Sequence, residues 1–402
     1  MKRVIFHIDV NSAFLSWEAV YRMRHLGEET DLREQVAAVG GDLAMRHGII
    51  LAKSIPAKRY HIRTGESILE ARQKCPDLLL VPPNYRLYEK CSRAFMEILR
   101  TYSPAVEPYS VDEAFMEMTG TEGLWGSPIA AADRIRNQIR EELGFTVNVG
   151  ISENKLLAKM AGDFQKPDRV HTLWKEEIPE KMWPLPVSDL FFVGRAAERT
   201  LALLGIRTIG ELAAADPRLL KAHLKKHGER IWEFANGMDS SAVEPLLPPG
   251  KGYGNSVTLP FDVEDAQAAK RVLLSLSETV GGRLREAGGR AQVLSVGIRD
   301  FALRDASHQA ALPAATNITT ELYRCASRLF DQLWDGTPIR KLGIHTGHIR
   351  YDAAVRQQSL FDGTDYQKLE RMDAAADRIR SRYGKCSLVR AALLEPPRAK
   401  KD

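Results

Sequence analysis

The sequence predicts an α+β multidomain chain, and three observations carry that prediction. Strand-like apolar runs alternate with amphipathic helical stretches up to residue 165, and short helices with glycine turns take over after Lys166-Pro167. Beyond a Pro- and Gly-rich stretch at 237–250 the pattern becomes strand, helix, strand, strand, helix, strand. A chain of 402 residues is too long for one core and should divide into about two to four units.

In chain order, residues 3–9 (RVIFHID) read as a buried strand and NSAFLSWEAVYRM continues as a helix, with Phe14, Trp17 and Tyr21 at helical spacing. QVAAVGG and HGIILAKS are strands around a turn, and SILEARQKCP is a helix stopped by Pro76. LLLVPP then reads as a short strand, YEKCSRAFMEILRTYS as a helix and VEPYSVDEAFMEMTG as a hairpin. Residues 127–143 are helical, and TVNVGIS is a strand leading into the helix NKLLAKMAGDF. This order predicts a mixed sheet carrying helices, built from 1–20 and 75–165, with 21–74 inserted. In 166–236, LFFVGRAAERTLALLGIRTIGELA carries helical stretches around Gly194 and a turn at Gly205. That suggests a helix-hairpin-helix, whose exposed amides can hold a DNA phosphate. Residues 237–250 read as a linker and 251–350 as an independent α+β domain. The tail, 351–402, ends in a helix whose Leu369, Met372, Ala376, Ile379 and Tyr383 share one face, closed by Gly384.

The composition, 44% hydrophobic and 27% charged, is that of an ordinary soluble chain without a membrane span, and the short VIF at the start does not form a signal-peptide core. A cytoplasmic protein is expected. Cys75, Cys91, Cys325 and Cys386 show no metal-ligand spacing, so structural zinc and disulfides are not expected. A net charge of +5 permits a polyanionic partner without demanding one.

The chemistry sits in two acidic clusters, Asp9 and the adjacent Asp112-Glu113, each at the end of an apolar run. Three carboxylates converging at strand ends would form a hard oxygen cage suited to two magnesium ions and phosphoryl transfer. Adjacent residues of a regular strand face opposite ways, so Asp112 and Glu113 can serve one site only at a turn, which YSVDE offers.

HIDVNSAFLSWE, IPAKRY, YSVDEAF and VGISENKLLAKMAGDFQKP, in that order and at these separations, resemble the Y-family translesion DNA polymerases of the bacterial DNA polymerase IV type. The resemblance implies a right-hand architecture: palm (1–20 and 75–165), fingers (21–74), helical thumb (166–236), linker (237–250) and little finger (251–350). It implies template-directed, low-fidelity synthesis past damaged bases from dNTPs, by a monomer on primer–template DNA. Asp9, Asp112 and Glu113 become ligands of two Mg²⁺ ions together with the Val10 carbonyl, and Phe14 becomes a steric gate against ribonucleotides. Lys58 and Lys159 match positions that grip the triphosphate. Gln357, Ser359, Leu360 and Phe361, in QQSLF, resemble a peptide that binds the bacterial sliding clamp. The chain departs from the family pattern at Ile55, where a tyrosine is usual, at Lys58, where an arginine is usual, and at Asn11, where a second acid is frequent. The thumb hairpin, Phe192-Val193-Gly194-Arg195, lacks a doubled glycine. Two other readings stand beside the polymerase. One is a non-catalytic adaptor recruiting repair factors to the clamp, which has no need of Asp9, Asp112 and Glu113; the other is a helix-hairpin-helix repair factor without synthesis, which leaves the N-terminal motifs unexplained.

Overall fold

A computed structural model describes residues 2–41, 48–246, 248–352 and 363–394. Its strands are β1 (Ile5–Val10), β2 (Ala37–Gly40), β3 (Ile50–Lys53), β4 (Leu79–Val81), β5 (Val106–Pro108), β6 (Glu113–Glu117), β7 (Val147–Ser152) and β8 (Val170–Thr172) in a first unit. A second unit, from residue 248 onward, holds β9 (Gly252–Val263), β10 (Arg290–Asp300), β11 (Asp305–Thr316) and β12 (Ile339–Arg350).

The first unit is organised around β1, the middle strand of a five-stranded sheet ordered β5-β6-β1-β7-β8. All six β1 residues are buried, because both faces of the sheet are covered. The pleat sends Phe6, Ile8 and Val10 into the main core with Trp17, Phe95, Leu99 and Ile135, under the helices Tyr85–Tyr102 and Pro128–Gln138. Ile5, His7 and Asp9 take the other face, where Ile5 packs with Phe115 and with Ala158 of the helix Lys155–Asp163. That helix lies so close to β7 that a Cβ on Gly150 would fall 1.9 Å from the Ala158 carbonyl oxygen and 2.4 Å from the Gly162 nitrogen. Only glycine permits this approach, which brings Lys159 down onto the His7 and Asp9 side of the sheet.

Three boundaries differ from the sequence expectation. Leu79–Val81, placed above with 75–165, pairs in parallel with β2 in a separate sheet ordered β3-β2-β4. A three-residue apolar run carries no signal of which sheet it joins, and here the edge of the fully buried β2 takes it. Val170–Thr172, placed beyond the sheet, is its β8 edge, parallel to β7. Residues 237–244 are not a free linker. Asn154 and Arg3 side chains donate to the carbonyls of Gly237 and Ser241, Lys155 donates to that of Ala242, and the amides of Leu156 and Glu244 donate to the Asp239 and Glu107 carboxylates. A Pro- and Gly-rich segment buries little apolar surface, yet its backbone polar groups still find partners.

Helices Arg195–Leu203, Ile209–Ala214, Pro217–Leu224 and Lys226–Ala235 pack with Leu156, Leu157 and Met160 into a further core. The helical stretch expected before Gly194 is absent. Val187–Asp189 is a single 3₁₀ turn, and Phe192 takes a left-handed backbone (φ 76°) that a helix cannot contain.

The second unit is an antiparallel sheet ordered β11-β10-β12-β9, with helices Ala266–Glu286 and Thr319–Leu333 on one face, in the strand and helix order read from the sequence. The tail helix Tyr366–Tyr383 forms and ends before Gly384, but Met372, Ile379 and Tyr383 are exposed. It docks by charge instead. Buried Asp373 accepts from Arg285, Arg390 and the Thr319 amide, Arg285 forks onto Asp377, and Arg380 reaches Glu278. Gln357, Ser359, Leu360 and Phe361 lie outside the described residues. Among those described, no helix is long and apolar enough to cross a membrane.

Gly150→Ala, which forces Cβ into backbone atoms rather than into a side chain that can move, should cost about 1 to 3 kcal/mol, read as a lower urea midpoint at unchanged slope.

Candidate active site

The site grows from the end of β1. After Val10 the chain turns at Ser12, whose left-handed backbone (φ 49°) starts the helix Ala13–Tyr21 and aims Phe14 into a cleft. The cleft is lined by Asp9, Val10, Phe14, Lys53, Ile55, Lys58, Asp112 and Lys166 among others. Phe14 is held from behind by Tyr88, stacked at 4.4 Å between ring centroids, and the Tyr88 hydroxyl donates to Glu18.

Asp9 pairs across the ladder with Glu113, and Asp112 sits one residue outside β6. The turn expected at YSVDE is present: the Ser110 hydroxyl donates to Asp112 Oδ1 at 2.6 Å, and the Tyr109 and Ser110 amides donate to the Glu113 carbonyl. The Val10 amide donates to the Asp112 carbonyl at 3.0 Å, which ties the two acidic strand ends together. Asp112 thereby lines the cleft beside Asp9.

Each carboxylate has one oxygen occupied by the protein. Lys166 Nζ bonds Asp9 Oδ2, Ser110 bonds Asp112 Oδ1, and Lys159 Nζ donates to Glu113 Oε2 at 2.6 Å, beside His7 Nε2 at 3.3 Å. Among the described residues the second oxygens have no protein partner. Burial pushes the Asp9 carboxyl above its ordinary value against the pull of Lys166. Burial likewise works against the Lys166 charge, but Asp9 and Asp163 outweigh it and hold its pKa above that of a free lysine. For Glu113, burial alone would raise the pKa, and the hydrogen bonds from His7 and Lys159 bring it instead to about 2. Burial keeps His7 below its ordinary value, hence neutral at pH 7.

Among the described residues no three acidic, histidine or cysteine side chains already stand close enough to hold a metal. Without a cation, three carboxylates repel, and the two lysines draw Asp9 and Glu113 to separate partners. The donor set fits a hard divalent ion: three carboxylates each keep a free oxygen, and ammonium groups supply the positive charge at two of them. One expectation needs correction, that of Lys159 at a triphosphate. Lys159 is nearly buried, bonded to Glu113, and faces the rings of Tyr109 and Phe191, away from the cleft lining. The lysine in the cleft is Lys166. Its signal lay in QKP, a string that also marks the boundary between the sheet and the following helices.

Asn11 does not face the acids. Its carbonyl accepts from Thr146 and from the Asp168 amide, and its amide donates to Asn148. Asn148 in turn donates to the carbonyls of Gly162 and Gln165, so the pair fixes the loop that carries Lys166.

In the second unit, the sheet face away from the helices is a shallow polar trough lined by Gly254, Asn255, Ser295, Gly297, Arg299, Lys341, Gly343 and His345.

Comparison with known proteins agrees with this layout. The family described as impB/mucB/samB matches residues 8–163, its C-terminal domain matches 250–360, and the helix-hairpin-helix motif of the same family matches 175–206. The chain is 44% identical over 396 residues to the DNA polymerase IV of Clostridium acetobutylicum, covering 98% of this chain and 99% of that protein. The chain belongs to the Y-family DNA polymerases. Other Y-family relatives include the DNA polymerase IV of Acetivibrio thermocellus, 37% identical with 98% of each chain covered, and the DNA polymerase IV 2 of Bacillus subtilis, 37% identical with 98% and 95% covered. A solved Y-family DNA polymerase chimera superimposes with a TM-score of 0.74 at 21% identity, over 87% of this chain and all of that one, so the Y-family fold is shared.

Because its folded pKa is depressed, Glu113 adds stability that is present above the ordinary carboxylate pKa and lost as pH falls from there toward about 2. Lys159→Met removes the shorter of its two hydrogen bonds and the ammonium charge beside it, so unfolding free energy measured from pH 5 to pH 2 should vary less steeply in that variant than in the wild type.

Proposed function

We propose that the chain is a DNA-directed DNA polymerase that copies a template by nucleotidyl transfer from dNTPs and extends past damaged bases. The observation that carries this reading is the convergence of Asp9, Asp112, Phe14, Lys58 and Lys166 on one cleft in a member of the Y family. Two magnesium ions held by Asp9, Asp112, Glu113 and the Val10 carbonyl would lower the pKa of the primer 3′-hydroxyl and offset charge on the triphosphate. Around them the protein's own groups bind and orient. Lys166 and Lys58 face the triphosphate as point charges, and Lys58 cannot form the bidentate fork of an arginine. The Phe14 ring, immobilised on Tyr88, stands beneath the incoming sugar, where a 2′-hydroxyl would collide.

In this reading the five-stranded sheet is the palm, the β3-β2-β4 sheet with its helices the fingers, the helices from 195 to 235 the thumb, and the second unit the little finger. The polar trough of the little finger suits duplex DNA, since glycines leave the strands open to a sugar-phosphate backbone and Lys341 and His345 meet phosphates, whereas Arg299 is forked onto Asp305 of the same trough. The QQSLF peptide at 357–361 is proposed, on its motif, to recruit a sliding clamp. The retained carboxylates and the nucleotide-sized cleft beside them favour the enzyme over the adaptor.

Primer extension with magnesium on undamaged and lesion-bearing templates tests the reading. The wild-type chain should extend in template order, and Asp9→Ala and Asp112→Ala should abolish extension while primer–template binding persists; wild-type binding without extension would select the adaptor. Phe14→Ala should raise ribonucleotide insertion by about a hundredfold with deoxynucleotide insertion largely kept, and unchanged sugar discrimination would remove Phe14 from the gate.

A further inference from the structure

Lys53 is a cation of the cleft to which the sequence motifs give no role. Lys53 ends β3, where buried Ile50 and Ala52 alternate with Leu51 and Lys53, so the pleat turns Lys53 into the same cleft as Asp9, Phe14, Lys58 and Lys166. Its ammonium donates to the Thr64 hydroxyl at 3.3 Å, which fixes the end of an otherwise flexible chain. Among the described residues neither Lys53 nor Lys58 makes an ion pair with a carboxylate. Arg33 on the same wall is forked onto Asp31, and Lys166 is paired with Asp9 and Asp163. Burial first, and the neighbouring Lys58 charge second, hold the Lys53 ammonium below its ordinary pKa. Glu66 pulls the other way, but it is held by Lys74 at 2.5 Å.

Two like charges side by side, one of them partly desolvated, cost free energy in the empty cleft, and a polyanion lying between them offsets that cost. The cleft's other wall is acidic, with Asp9 and Asp112, so the anion these lysines suit enters with divalent cations on its far side. A magnesium-bound triphosphate has that distribution of charge. Beside Lys53 on the same wall, the Ile55 side chain offers no hydrogen-bond donor and Lys58 offers a point charge without a fork, which leaves phosphate hydrogen bonds for another donor to supply.

We infer that Lys53 is a triphosphate-positioning residue, which with Lys58 forms a two-lysine clamp on the phosphates of the incoming nucleotide. Thr64 holds Lys53 in place. The inference rests on the polymerase reading above and adds a residue and a division of labour to it.

The test uses the full chain on a primer–template with a non-hydrolysable deoxynucleoside triphosphate, whose affinity is read by isothermal titration, together with single-nucleotide insertion kinetics. Lys53→Met should weaken triphosphate binding and raise KM by about tenfold, with kcat within about twofold and primer–template affinity unchanged. Lys53→Arg, which keeps the charge and adds donors, should restore binding. Unchanged triphosphate affinity in Lys53→Met overturns the inference, as does a matching loss of primer–template affinity, which would place Lys53 on the DNA. A wild-type chain that binds no triphosphate overturns the polymerase reading and this inference with it, so the two failures are told apart by whether the loss appears only in the variant. The retained primer–template affinity also reports that the variant is folded.

Discussion

The site depends on buried charge compensation. Asp9 and Glu113 face each other across the β1-β6 ladder on a covered face of the sheet, and two carboxylates at that spacing repel in a medium far less polar than water. Lys166 on Asp9 and Lys159 on Glu113 neutralise them one by one. The rest of the local architecture delivers those two ammonium groups: Gly150 admits the helix that carries Lys159, and the Asn11–Asn148 amide pair ties down the loop that carries Lys166. The two lysines nevertheless differ in kind. Lys159 is sealed beneath Glu113 among aromatic rings, whereas Lys166 reaches Asp9 from the cleft.

The departures from the family pattern belong together. Asn11 is spent on structure, accepting from Thr146 and Asp168 and donating to Asn148. Across the cleft, Ile55 and Lys58 surrender hydrogen-bonding capacity while Lys53 adds an ammonium. In the proposed reading the three carboxylates and the Val10 carbonyl would hold the cations and single point charges would meet the anion, a looser arrangement than one built on an arginine fork.

Stability in the two units comes from different sources. The first unit closes apolar cores on both sides of β1 and under the short helices, and even its Pro- and Gly-rich stretch at 237–244 is strapped down by backbone hydrogen bonds. The second unit covers one sheet face with two helices and leaves the other polar, and its tail helix is attached by arginine-carboxylate pairs instead of its apolar stripe. Such ion pairs weaken with salt where they are exposed, while Asp373, nearly fully buried, is screened least.

The sequence by itself determined the order of most strands and helices and the placement of Asp9 and Asp112 at strand ends, because pleat and helix periodicity are written in neighbouring residues. The turn at Ser110 was legible for the same reason, since the faces available to adjacent residues are a local matter. What only the tertiary structure decided was pairing at a distance. A three-residue strand such as Leu79–Val81 holds no record of the edge it joins, and Met372, Ile379 and Tyr383 share a helical face whether or not anything covers it. The exchange of Lys159 for Lys166 has the same cause. Both lysines follow the same strand, which ends at Ser152, and which one enters the cleft is set by the Gly150 contact and the Asn148 hydrogen bonds, each made between segments that the linear order keeps apart.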